Sequence, residues 1–319
     1  MLALTQTRLA PPARRIGRGL LVMSLSLLSG LGGGTALAND ASPERVQKVG
    51  LQSPSNPSSN QYSRALDAQG GYRITAAFQS VSGSPVSLSF RMEPAVSRSS
   101  MQEFGISTAE IEGLRKACER VSGCDQAEFD HRLKQYFSDH KLRLRNVPGQ
   151  RSHLFVDIPE VVRHNRDHVR PVSEALRELA DEQGRDERWM FEAAVGLVQA
   201  GLAYRAPANV DAGRQTLGFY TPPRALETGY GDCDTKSALL AAILLNLGYE
   251  RVIGVRIPDH YLLGIAREPR DGEAFVRYQD QTYVLIEASG PAVRRPGDVS
   301  DRTRVALSRG ESLRIDPMF

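Results

Sequence analysis

One stretch limits what this chain can become more than any other: Asp232-Cys233-Asp234-Thr235-Lys236-Ser237 running into Ala238-Leu239-Leu240-Ala241-Ala242-Ile243-Leu244-Leu245. Asp232 is a good N-cap and Gly248 stands where a C-cap glycine belongs, so the sequence predicts a helix over 232–247. Its long apolar run destines that helix for a core. Four short strands are expected behind it, at 252–257, 261–266, 274–278 and 282–286, joined by turns such as Pro269-Arg270-Asp271-Gly272 and Gln279-Asp280-Gln281. A core helix packed on an antiparallel meander is an α+β architecture. Two further helices, about 172–182 and 186–203, lead into it through a loop rich in Pro, Gly and Thr.

Upstream, Tyr72, Ile74, Ala76 and Phe78 alternate with polar residues, Ser82-Gly83-Ser84-Pro85 turns the chain, and Val86, Leu88 and Phe90 alternate again. That is a β-hairpin. Ser107 with Glu110 forms a capping box and Ile106 with Ile111 a hydrophobic staple, which starts a helix. A second helix, about 125–140, carries Phe129, Leu133 and Phe137 on one face, and Leu142, Leu144, the Pro148-Gly149 turn and Leu154-Phe155-Val156 suggest another hairpin. The expected organisation is a disordered linker over 39–71, rich in Ser, Pro, Asn and Gln, then a smaller α+β domain over 72–165, the second domain over 171–295, and a tail over 296–319.

The formal charge of +3 misleads, because it comes from the first 38 residues. They hold Arg8, Arg14, Arg15 and Arg18 and no acidic residue, so without them 36 basic face 37 acidic residues, a net of −1. Arg14, Arg15 and Arg18 precede an apolar stretch from Leu20 to Leu28, and small residues follow to Ala36-Leu37-Ala38. This order is that of a secretory signal peptide over 1–38, cleaved after Ala38, which implies a periplasmic or secreted protein. An uncleaved anchor is the alternative, although Gly30, Gly32, Gly33 and Gly34 thin its hydrophobicity. Sec and twin-arginine export both remain open. No other apolar run approaches spanning length, and no basic cluster with interleaved aromatics points to nucleic acid.

In an oxidising compartment each of the three cysteines needs an account. Cys118 and Cys124 are the simple pair, with two buried free thiols as the alternative. On one unbroken helix their Cα atoms would lie about 9 Å apart, too far for a disulfide, so a break at Val121-Ser122-Gly123 is required. Cys233 is left over, in the first turn of the core helix, where the helix dipole should lower its pKa by roughly one unit at most while Asp232 and Asp234 oppose it. His260, which opens a later strand, could supply the missing positive charge. Glu287, at the end of another strand, could orient the imidazole, with Asp280 and Asp259 as competitors. His131, His140, His153 and His164 lack metal-ligand spacing and are taken as surface or core residues.

Residues 193–291 resemble the transglutaminase-like superfamily in Leu197-Val198-Gln199 with Tyr204, Gly231-Asp232-Cys233-Asp234, Asp259-His260-Tyr261 and Tyr283-Val284-Leu285-Ile286-Glu287-Ala288-Ser289-Gly290-Pro291. The resemblance implies a papain-like core, with Cys233 as nucleophile, His260 as general base and acid, and Glu287 as the group that orients it. The oxyanion hole would use the Cys233 N–H, with the side chains of Gln199 or Tyr204 as candidates. It implies acyl transfer through a thioester on a peptide or side-chain amide, as a peptidase or amidase rather than a cross-linker, acting on a protein or peptide of the cell envelope. A protein-glutamine transamidase and a non-catalytic envelope binding module are the alternatives. No cofactor is expected, and a metal at Cys233 and His260 would lack further ligands.

Overall fold

The computed structural model describes residues 61–145, 153–290, 292–309 and 313–319. The expected signal peptide and the Pro148-Gly149 turn lie outside them. The chain divides into two units, Met1–Ser53 and Pro54–Phe319, and all that follows concerns the second.

Three antiparallel strands come first: β1 (Gln61–Leu66), β2 (Tyr72–Gln79) and β3 (Pro85–Met92). The alternation in β2 and β3 does what it predicts, burying Ile74, Ala76, Phe78, Val86, Leu88 and Phe90 on one face. β1 corrects the expectation of a linker reaching residue 71. It has no apolar face, and holds its strand form by backbone pairing with β2 and by side-chain ties, Tyr62 to the Leu226 carbonyl and Arg64 to Glu227 at 2.8 Å.

Helices α1 (Pro94–Gln102), α2 (Thr108–Glu119) and α3 (Gln126–Asp139) follow. Ser107 caps α2 through the Glu110 N–H at 3.3 Å, whereas the Glu110 carboxylate turns to Arg214 at 2.7 Å instead of closing the capping box. The chain breaks between α2 and α3 at Gly123, whose φ of +92° suits glycine, and Cys118 and Cys124 are bonded with their Cα atoms 5.4 Å apart. The hairpin of β4 (Leu142–Arg145) and β5 (His153–Val156) leads to α4 (Ile158–Asn165), α5 (Arg170–Glu182) and α6 (Glu187–Gly196). α6 continues as a π-helical turn over Leu197–Gly201, where the sequence predicts one α-helix to residue 203.

Short strands then position the core helix. β6 (Ala203–Tyr204) precedes the small hairpin of β7 (Val210–Asp211) and β8 (Arg214–Gln215); α7 (Pro222–Thr228) follows, and β9 (Tyr230–Gly231) pairs in parallel with β6. α8 (Cys233–Asn246) is buried without a break from Thr235 to Leu245. The meander then runs β10 (Val252–Ile257), β11 (His260–Ala266), β12 (Phe275–Tyr278) and β13 (Gln281–Ile286), close to its expected bounds. The supposed tail instead holds α9 (Asp301–Ser308) and β14 (Arg314–Pro317), which pairs with β10 and completes an antiparallel sheet in the order β12-β13-β11-β10-β14.

This sheet is covered on both faces. Val252, Leu263, Ile265 and Ile286 join the main core with α8, whereas Ile253, Val255, Leu262 and Leu285 pack with Val299 and with Ala306 of α9. The main core also takes in Ile74 and Phe78 of β2 and Leu176 of α5, so the stretches expected as separate domains on either side of residue 171 share one core. The close approach needs glycine at residue 196, where an added Cβ would meet the Gln79 carbonyl oxygen at 2.5 Å. The architecture is mixed helix and antiparallel sheet, an α+β fold.

Candidate active site

The parallel pairing of Tyr204 with Gly231 delivers the chain to the start of α8. There the Asp232 carboxylate accepts the Thr235 N–H at 3.1 Å, the N-cap bond that the sequence predicts, and Cys233 becomes the first helical residue. The thiol does not behave as the dipole argument expects. Burial, joined by the negative charges of Asp234 and Asp232, pushes Cys233 up to about 12, against the smaller opposing effect of the Tyr261 N–H. A dipole offers roughly one unit, and desolvation alone can exceed it severalfold. In this geometry Sγ donates to Asp234 Oδ1 at 3.4 Å, so the resting group is a neutral thiol.

His260 opens β11, opposite Ile257 of β10, and its Nε2 lies 3.4 Å from Glu287 Oε1. Neither competing carboxylate takes this place: Asp259 pairs with Arg302 at 3.0 Å on the surface, and Asp280 sits in the turn between β12 and β13 with φ of +59°. Glu287 follows β13 and is buried. Burial by itself would raise its pKa, but hydrogen bonds from His260, from the Thr303 hydroxyl at 2.7 Å and from the Ser300 N–H at 3.2 Å overcome this and hold it at about 2. Ser300 is the N-cap of α9, so the positive end of that helix faces the carboxylate. Glu287 is therefore ionised at any physiological pH.

The segment behind Glu287 is pinned from below. The Gln199 side chain donates to the Glu287 carbonyl at 2.6 Å and accepts the Arg294 N–H at 2.9 Å. Lys236, one turn along α8 from Cys233, is fully buried and donates to the carbonyls of Gln199, Leu202 and Ser289 at 3.2, 3.1 and 2.7 Å. Burial lowers its pKa to about 7, while three carbonyl acceptors match the three N–H donors of an ammonium. These bonds place Gln199 behind Glu287. Its amide is committed to the backbone on both sides and does not line the cavity. Tyr204 is half exposed and close enough to Cys233, Asp232 and Asp234 for their charges to add to the burial that raises its pKa.

Cys233 and His260 border one cavity of about 480 Å³, with Asp232, Asp234, Asp259, Arg256, Arg314 and Phe155. Among the described residues no hydrogen bond joins Cys233 to His260. The other histidines line no part of this cavity; His140, for one, meets the Tyr136 carbonyl at 2.8 Å. Among the described residues no three His, Cys, Asp or Glu side chains are grouped to hold a metal ion, and no helix is long and apolar enough to cross a membrane.

Sequence reasoning missed Lys236, Ser300, Thr303, Arg256 and Arg314. Ser300-Asp301-Arg302-Thr303 has the form of a helix start and could have been found. Lys236 carries no such signal, because only the fold brings its three carbonyl partners together. Comparison of the chain with protein-family models, with curated proteins and with solved structures gives no match.

Proposed function

We propose that this chain is an exported, transglutaminase-like cysteine enzyme with a papain-like core, which acts on peptide or side-chain amide bonds through a Cys233 thioester and resolves that thioester with water. The observation that supports this reading is one cavity bordered both by a cysteine at a helix N-terminus and by a histidine held on a buried, ionised carboxylate. Because the thiol is protonated at rest, attack needs a base. His260 takes the Sγ proton as Sγ bonds to the amide carbon, and returns it to the departing nitrogen as the C–N bond breaks. Water then adds to the thioester, leaving a carboxylic acid and the restored thiol. The N–H of Cys233 has no acceptor inside its helix and is the oxyanion donor, with Tyr204 beside it.

The test is mass spectrometry of envelope extracts and peptides incubated with the wild type in H₂¹⁸O. Cleavage with ¹⁸O in the new carboxylate is expected, abolished in Cys233→Ala and reduced at least a hundredfold in His260→Ala. Amine incorporation without cleavage would assign cross-linking instead, and neither outcome in the wild type would remove the catalytic reading.

One observation favours a second reading, a binding module that keeps the fold without turnover: the thiol bonds to Asp234 rather than to His260. Processing by the wild type eliminates it.

A further inference from the structure

Arg256 of β10 and Arg314 of β14 stand directly opposite each other in the strand register. Like charges in that relation oppose strand pairing. Both border the cavity that holds Cys233 and His260. Each guanidinium lies over an aromatic ring, Arg256 at 4.9 Å from the Tyr261 centroid and Arg314 at 6.0 Å from that of Phe155. A ring under the flat face holds the group in place and leaves its N–H edge free to bind. Among the described residues neither side chain donates a hydrogen bond, and Arg256 forms one long ion pair, with Asp234 at 3.6 Å. The cavity therefore carries both charges: Asp232 and Asp234 flank the thiol, Asp234 also reaching Arg256, and the two arginines line the wall formed by β10 and β14.

We infer that Arg256 and Arg314 form a carboxylate-binding subsite, so that the peptide entering this cavity carries an acidic group beside the amide presented to Cys233. A guanidinium presents paired N–H donors that match the oxygen pair of a carboxylate, and two of them border the same cavity. The inference rests on the enzymatic reading for its purpose but not for its test, because binding needs no turnover. The carboxylate can belong to a side chain or to a peptide terminus, and the probes separate the two.

Fluorescein-labelled pentapeptides are titrated onto the full chain carrying Cys233→Ala. One has a central Glu and an amidated end, one a central Gln and a free C-terminal carboxylate, and one a central Gln and an amidated end. At least one of the two carboxylate peptides is expected to bind tenfold or more tighter than the neutral one, and which one does so names the source. The preference should vanish in Arg256→Gln/Arg314→Gln and persist in weakened form in Arg256→Lys/Arg314→Lys, which keeps the charge if the first pair disturbs folding. Equal affinities, no measurable binding of either carboxylate peptide, or a preference that survives Arg256→Gln/Arg314→Gln overturns the inference. Carboxylate binding without any processing by the wild type leaves this subsite standing and removes only the enzymatic reading. Processing without a carboxylate preference does the reverse.

Discussion

Burial raises the pKa of the Cys233 thiol most, and Asp234 comes next. It accepts the thiol hydrogen and adds its charge to the burial that holds the thiol near 12. Alkylation of Cys233 by iodoacetamide should therefore climb about tenfold per pH unit between pH 7 and 10, with no plateau, since thiolate is the reacting form. A plateau below pH 8 would contradict that account. Asp234→Asn should raise the rate at pH 7 severalfold, read by mass spectrometry of the labelled peptide. Glu287 works in the opposite sense. Its pKa falls from 4.5 unfolded to about 2 folded, so its contribution of about 3 kcal/mol is complete above pH 4.5 and is lost as the pH drops toward 2. Melting curves of Glu287→Gln should lie below wild type at pH 7 and converge with it near pH 2. A gap of constant size across that range would sink the assignment.

At the scale of elements, legibility followed the source of each element's stability. α8 and the strands β10 to β13 are held by their own apolar side chains, which the sequence displays directly, and their bounds came out within a residue or two. β1 and β14 are edge strands held by backbone pairing, and α9 offers only Thr303 and Ala306 as buried residues, so no apolar pattern announced them. The same distinction divides the site. Cys233, His260 and Glu287 can be proposed from their order on a helix start and two strand ends, whereas the setting of Gln199 is illegible because its partners are backbone atoms far away in sequence. Lys236 belongs with Gln199, as the tie between α8, the π-helical turn and the segment behind Glu287. Lys236→Met leaves three carbonyls without their donor and should cost about 2–5 kcal/mol, seen as a lower urea midpoint. Unchanged stability would mean that those carbonyls find other partners.

On the scale of the whole molecule, one core joins the first sheet to α8, so the hairpin of β2 and β3 and the site should unfold in a single transition. The disulfide between Cys118 and Cys124 closes a short loop between α2 and α3. By loop entropy it is worth about 2 kcal/mol, and Cys118→Ser/Cys124→Ser should lower the melting temperature without changing the alkylation rate of Cys233. A changed rate would show that the helical pair of α2 and α3 communicates with the cavity. The groups that complete the site, Ser300, Thr303 and Arg314, follow Cys233 by some 70 to 80 positions. At about 5–20 residues per second the ribosome needs roughly 4–16 s to cover that distance. A chain that has just passed Cys233 therefore has its cysteine but neither the helix that anchors Glu287 nor the second arginine, and the cavity is assembled only after synthesis has passed both.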